Sequence, residues 1–432
     1  MALPDSGRWL KRVTCAGLLC GGAGAAGHAQ LPVRRADAVR AALAAGPRVA
    51  LARSDTAAAR AVLLTASAIP NPVLSAQYTT AVPQKHINVE IPFDAPWSRG
   101  PRIASARASG RAARLRYMSE LAAARLEVDT TYTRALAAEA RLRLSRQTSR
   151  DADSLRKMTA ARRDAGDASD LDVDLATITA GQQVNVASND SLTYASALFT
   201  VQTLMGLRAD SVAIVLVDTL QLSPSATARV LQAMDSVPLL LPRAGAPAAI
   251  GAFTVSGMPS VAAADASLQA AELAITREHR GVIGLPSLIV GVEFGDPTGG
   301  EPGYLPLIGL SFPLPLFNRN QGAIAQAVAE RDRARAELRL AQLGASQRVA
   351  EAIRERDLLR ARVLRDEELV VRAQRVAAKS LTAYREGASA LPAVLEARRT
   401  AREVLGQYID DLAALLTLQS ELGVLTQQAP PQ

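Results

Sequence analysis

The sequence has 432 residues, 49% hydrophobic but only 3% aromatic, 21% charged, with a formal net charge of +8. A compact globule of this length would bury more rings, and a disordered chain would be more charged and less apolar. Roughly a fifth of the residues are alanine, the strongest intrinsic helix former, so the composition predicts a mainly helical protein with narrow helix-to-helix seams. The positive balance sits on arginines that alternate with acids, as in Glu330-Arg331-Asp332-Arg333-Ala334-Arg335-Ala336-Glu337. Opposite charges at helical spacing satisfy one another, and no aromatic platform accompanies them for stacking bases. The pattern argues against nucleic acid as a partner.

Residues 1–29 read as an export signal: Arg8, Lys11 and Arg12, a small-residue apolar run from Val13 to Ala26, then Gly27-His28-Ala29 before the cut. Cys15 and Cys20 are the only cysteines and both lie in this leader, so the mature chain has neither disulfides nor thiolate metal sites. No later stretch has the ~18 consecutive apolar residues of a membrane helix. An exported chain of this kind is soluble or inserts as a β-barrel.

A helical segment over 30–69 is followed by a strand pair over 70–96. Leu74, Ala76 and Tyr78 alternate with Ser75, Gln77 and Thr79, and Ile87, Val89, Ile91 and Phe93 alternate with His86, Asn88 and Glu90. A long helical hairpin then covers 97–207, with an arm from Pro101 to Gly166 and a return from Asp170 to Leu207. A connecting belt over 208–264, broken by prolines and glycines, leads to a short helix over 265–285. A second strand pair over 286–317 carries Leu288, Val290, Val292 and Phe294 on one face and Ser287, Ile289, Gly291 and Glu293 on the other; Ile308, Leu310 and Phe312 alternate with Leu307, Gly309 and Ser311. A second long hairpin spans 318–425, and 426–432 is a tail. Period-two alternation of this kind suits a wall with one apolar and one polar face.

The chain is internally duplicated. Pro92 and Pro313 are 221 residues apart, and so are Gly166 and Gly387. Two landmarks with one offset require the segment between them to have the same length in both halves. In the second arm Val349, Ile353, Leu359, Val363, Val370, Ala373, Ala377, Leu381 and Tyr384 recur mostly at spacings of three, four or seven, approximating a coiled-coil seam. Segments Ala36–Ser67 and Val261–Gly281 can stack end to end on the shorter returning arms to match the long ones. Four strands cannot close a membrane barrel, which takes about eight or more. Three chains would supply twelve strands and leave a lumen.

Ala68-Ile69-Pro70-Asn71-Pro72-Val73-Leu74-Ser75 before the first hairpin, Pro313-Leu314-Pro315-Leu316-Phe317-Asn318-Arg319-Asn320-Gln321-Gly322 before the second arm, and the repeated turns Ala165–Val173 and Tyr384–Leu391 resemble, in order and spacing, the TolC family of outer-membrane efflux proteins. The arginine-rich helices look somewhat like its CzcC-like cation-efflux branch. The resemblance implies a homotrimer in outer-membrane lipid, with a twelve-stranded barrel, a periplasmic α-barrel of coiled-coil hairpins, and docking to an inner-membrane pump through a periplasmic adaptor. The duct would be passive, without cofactor or metal, and would carry small molecules or metal cations. Other readings are a type I protein-secretion duct and a periplasmic coiled-coil adaptor or scaffold; an adaptor would carry one hairpin rather than two equal ones.

The turns at Gly166 and Gly387 form the periplasmic end, where glycine lets the chain reverse at positive φ. Asp167, Asp170, Asp172 and Asp174 cluster at the first turn. They read either as favourable charge at a helix start, with Ser169 or Asp170 as cap, or as a carboxylate-lined mouth that attracts cations. By resemblance, Asp172 and Tyr384 fall where the family places partners of a tip-closing hydrogen-bond network, and Glu396 where a lumen carboxylate ring occurs. Gly166, Asp167, Gly387 and Ala388 fall in the turns that meet the adaptor. Ser389 and Ala393 stand where the family prototype has an arginine and a further aspartate, so a closure built on that arginine is not reproduced. After leader removal the histidines are His86, read as a lumen or loop residue, and His279, read as a helix end. Neither has a nucleophile–base partner, and no phosphate loop or metal spacing occurs; the chain reads as a non-enzyme.

Overall fold

The computed structural model describes residues 31–208, 213–222, 224–236, 255–295, 297 and 303–425. The predicted export signal over 1–29, the middle of the predicted belt, most of residues 296–303 and the predicted tail over 426–432 lie outside the described residues. Strand β1 (Leu31–Val33) opens the chain, followed by helices α1 (Arg35–Ala45) and α2 (Pro47–Ser67), strands β2 (Val73–Tyr78) and β3 (Lys85–Pro92), and helices α3 (Pro96–Asp164) and α4 (Asp170–Leu204). The order then repeats with β4 (Ile214–Leu216), α5 (Pro224–Ser236), α6 (Pro259–Arg280), β5 (Ser287–Phe294), β6 (Leu305–Ser311), α7 (Gln321–Arg385) and α8 (Leu391–Leu425). Helices α4 and α8 have 35 residues each, and both their ends keep the 221-residue offset.

Helix α3 is 69 residues long, about 100 Å at ~1.5 Å per residue. It begins at Pro96 rather than Pro101. Pro96 occupies the first turn, where its missing N–H costs nothing, and Pro101 is absorbed one turn later. The predicted helical segment over Ala36–Ser67 is divided into α1 and α2 at Gly46-Pro47, since proline cannot donate to the preceding turn. The break lets α2 abut α4. A Cβ on Gly46 would lie 3.1 Å from the Leu204 carbonyl oxygen, and one on Gly206, at φ +77, 2.7 Å from that of Ala45. At the other end-to-end joint Leu425 of α8 packs with Met258 and Val261 at the start of α6.

The strands form one antiparallel sheet in the order β2-β3-β5-β6, and the helices repeat that order. Near the sheet α3 lies between α2 and α6; farther away it lies between α4 and α8; α7 packs on α6 and then on α8. The helices and strands therefore form one layer four elements wide, with α2, α4 and β2 on one flank and α7 and β6 on the other. The nine seam residues of α7 are all buried or half-buried.

The largest core lies at mid-length. There β1 and β4 pair in parallel, and α1 and α5 lie against the long helices through Val33, Tyr132, Leu216, Met234, Val363 and Leu412. The Tyr132 hydroxyl donates to the Val33 carbonyl at 2.9 Å and lies 2.9 Å from Asp218; burial and Asp218 push its pKa up. Of the range predicted as a belt, β4 and α5 lie in this core.

Register aligns the apolar face of the sheet: Leu74 with Val89, Ala76 with Ile87, Val89 with Val290, Ile91 with Leu288, Val290 with Ile308 and Leu288 with Leu310. Ile87, Val290, Ile308 and Leu310 are exposed. The opposite face carries His86, Asn88, Glu90 and Ser287. His86 Nδ1 is 3.0 Å from Glu293 and its Nε2 3.2 Å from Thr79, while Ser287 donates to Glu90. Rings mark both ends of the apolar band. Phe294 and Tyr304 lie 5.3 Å apart near Lys85, whose ammonium sits 5.7 Å from the Phe294 ring. Phe93, Trp97, Phe312 and Phe317 are exposed at the helical end.

Candidate functional site

Two regions stand out: the pair of turns farthest from the sheet, and the two flanks of the layer. In the first turn Gly166 takes φ +84 and in the second Gly387 takes φ +75. Each lets the chain close a Schellman arrangement, with Asp167 N donating to Arg162 O and Ala388 N to Ala383 O, both at 2.8 Å. Ser169 then caps α4. Its Oγ accepts from Asp172 N at 3.1 Å, and Asp172 Oδ2 accepts from Ser169 N at 3.2 Å and from Ser169 Oγ at 2.8 Å. Asp170 is exposed, 3.8 Å from Arg163, and Asp167 and Asp174 are exposed beside it.

Tyr384 is buried at the end of α7. Its hydroxyl is 3.1 Å from the Thr159 hydroxyl, the Arg162 guanidinium stands 4.6 Å from its ring centroid, and Arg162 donates to its carbonyl. Three contacts from α3 thus clamp the second turn to the first within one chain. Asp172 and Tyr384 are each engaged elsewhere, and among the described residues no hydrogen bond joins them. Glu396 is exposed and ion-paired with Arg399 at 2.7 Å; the Arg399 hydrogen bonds hold its pKa below the ordinary carboxylate range. It lines a cavity of about 640 Å³ between the distal parts of α3, α4, α7 and α8. Sequence reading missed Thr159 and Arg162, although a tyrosine on a buried seam demands a polar partner for its hydroxyl.

The flanks differ from the centre of the layer. Among the described residues, α4 exposes Leu171, Ile178, Val184, Val186, Leu192 and Phe199, and α7 exposes Leu340, Leu343, Leu358, Leu364, Leu369, Val371 and Val376. Central α8 exposes no large apolar side chain, α6 only Leu273, and α3 only Trp97 and Met118. Charge differs as well. Helix α4 has four aspartates and no basic residue, whereas α7 has fourteen basic against nine acidic residues. Strands β2 and β6 end the sheet with unpaired edges. Both sides of the layer therefore present apolar surface and open backbone, and α4 on one flank and α7 on the other carry opposite charge.

No helix among the described residues is long and apolar enough to cross a membrane, and no cluster of three or more potential metal ligands occurs among them.

Residues 256–426 match the family described as outer membrane efflux protein. No curated protein matches the chain. Among solved structures, the fold is similar to CusC (TM-score 0.71, 16% identity, 92% of this chain and 93% of that one). It is also similar to the outer membrane protein VceC of Vibrio cholerae (TM-score 0.70, 15% identity, 90% and 95%) and to the CmeC outer membrane channel of Campylobacter jejuni (TM-score 0.71, 13% identity, 92% and 87%). The similarity extends over both repeats and covers sheet and helices alike.

Proposed function

We propose that this chain, whose residues 256–426 match the outer membrane efflux protein family, is the outer-membrane exit duct of a pump–adaptor–duct assembly and works as a homotrimer. The observation that carries the reading is the asymmetry between flanks and centre. A single layer leaves apolar surface on α4 and α7 and unpaired edges on β2 and β6. Exposed apolar patches and free sheet edges call for a partner. A second copy, joined flank to flank, offers acidic α4 to basic α7 and β2 to β6 at the same time. Three copies then close twelve strands into a barrel and continue them as a helical tube.

In that tube the ring-bounded apolar band of the sheet faces lipid, with its aromatic residues at the two interfaces. The face bearing His86, Asn88, Glu90 and Glu293 lines the water-filled passage. The duct is passive: the pump supplies energy, and this chain supplies walls and a gate. At the distal mouth Asp167, Asp170 and Asp174 recur three times around the axis, deepening a negative potential that concentrates cations. Asp172 adds its charge while holding the start of α4. Tyr384, clamped by Thr159 and Arg162, fixes the inward position of the second hairpin, and Glu396 stands one cavity farther in. The turns at Gly166–Asp167 and Gly387–Ala388 are the exposed points offered to the adaptor. Cargo is small molecules or metal cations.

The test is the assembly itself. Purified from membranes in detergent, the protein should scatter light as three chains, and Ile178→Arg combined with Leu364→Arg should yield single chains. A wild-type chain recovered singly from the soluble periplasmic extract would overturn the reading.

A further inference from the structure

Midway along the second hairpin two carboxyl groups are buried together in a place that the duct reading does not use. Asp366 of α7 is 8% exposed and Asp411 of α8 is 4% exposed. Each leaves its Oδ2 without a hydrogen-bond partner. The other oxygen of Asp411 is satisfied, by Arg362 at 2.7 Å and by the Gln407 amide at 3.1 Å. Arg362 stands one helical turn before Asp366 on α7 and reaches Asp411 across the seam, so the two carboxyl groups face the same α7–α8 joint. Two ionised carboxylates are both acceptors and cannot bond; one must carry a proton to donate.

The surroundings do not neutralise a second charge. Arg362 and Arg365 of α7 act on the pair, but Arg362 is 45% exposed at its side chain, so water screens it. On the same helix Glu367 acts on Tyr408 and adds negative charge. From α8, Asp410 turns instead to Arg141 of α3, and from α5 the Thr227 hydroxyl meets Tyr408 at 2.8 Å. Burial first, and then the neighbouring Asp411, raise the Asp366 pKa. The first repeat lacks the feature. At the equivalent positions, 221 residues earlier, it has Ser145 and Asp190, and Ser145 donates to the Leu142 carbonyl at 3.2 Å.

We propose that Asp366 and Asp411 form a proton-binding site, one proton held between them joining α7 to α8 beside the mid-length core, so that its loss loosens the second hairpin and not the first. The sign follows from the raised folded-state pKa. The stabilisation is fully present below the ordinary aspartate pKa and is lost as pH rises through the elevated value. The joint is thus tight in acid and loosens towards alkali.

The experiment uses the full-length protein in detergent, with thermal unfolding and amide hydrogen exchange along α7 and α8 followed upward from about pH 4, near the ordinary aspartate pKa, to about pH 8. Asp366→Asn keeps the shape and donates to Asp411 without titrating. Wild type should lose thermal midpoint and α7–α8 protection as pH rises, whereas D366N should stay flat and match or exceed wild type at the alkaline end. Asp366→Ser, which copies the first repeat, should also be flat. In infrared difference spectra wild type should show a protonated-carboxyl band that bleaches over the same range and is missing from both variants; this band decides the matter even if a variant folds poorly. A flat wild-type profile, an unchanged slope in D366N, or a midpoint that follows sodium or potassium concentration at fixed pH would overturn the proposal, the last by identifying a small cation as the occupant.

Discussion

Helices α4 and α8 are copies of one element, equal in length and fixed at one offset, yet they occupy opposite environments. Ile409, Leu412, Leu415 and Leu418 of α8 are buried against α3, α7 and the mid-length core, whereas on α4 Leu192 is 71% exposed and Leu171 67%. The difference arises because the second repeat is laid beside the first on one side only, so α8 gains the neighbour that α4 lacks. Duplication alone thus produces a layer whose inner members are satisfied within the chain and whose outer members keep an exposed apolar face.

That contrast can be broken most strongly at its centre. Leu412→Ala should leave a cavity that the surrounding helices cannot fill and cost about 2–5 kcal/mol of chain stability, read as a lower midpoint in denaturant. Leu192→Arg on α4 should leave the fold of a separated chain within about 0.5 kcal/mol of wild type while shifting the assembly toward single chains in light scattering. Equal effects on folding from both substitutions would show that α4 is not an outer member.

The two distal turns extend the comparison. Here the first repeat holds the second, through Thr159 and Arg162 on Tyr384. Arg162→Ala removes both the ring contact (~0.5–2 kcal/mol) and a charged hydrogen bond (~1.5–3 kcal/mol). It should raise resting conductance in planar bilayers by more than about tenfold, provided the clamp holds the mouth shut. Tyr384→Phe removes one hydroxyl contact of ~1 kcal/mol and should raise conductance about fivefold. Resting conductance unchanged in both variants would remove Tyr384 from the gate.

How much of this was legible in the sequence depended on distance along the chain. The dyad alternation of β3 and β5, the seam of α7 and the shared offset are local or periodic signals, and the strands and long hairpins appear where those signals lie. The break at Gly46-Pro47 was written in the residues as well, but the helical periodicity on either side masked it. The Arg162–Tyr384 clamp joins residues 222 positions apart, and the Asp366–Asp411 pair depends on the facing of two helices that carry many other acids. Periodicity places such residues on a face without saying which acid of many is buried. The acidic cluster at the first turn shows the same limit. Of four aspartates equally visible in sequence, only Asp172 closes a capping box, because only it stands three residues beyond Ser169.

That cap supplies the subtlest contrast between the repeats. Ser169 and Asp172 are matched in the second turn by Ala390 and Ala393, which have no side-chain oxygen with which to accept from the first N–H groups of α8. Ser169→Ala should therefore destabilise the start of α4 by about 0.5–2 kcal/mol, seen as faster amide exchange over its first turn, whereas Ser389→Ala should change nothing measurable. The reverse exchange is the sharper test. Ala390→Ser with Ala393→Asp supplies the second turn with the same reciprocal pair and should slow exchange at the start of α8 by a comparable factor. It also adds a carboxylate to the mouth. If exchange slows while conductance stays constant, the cap and the mouth charge are separate properties of the turn; if both change together, Asp172 serves both in the first repeat.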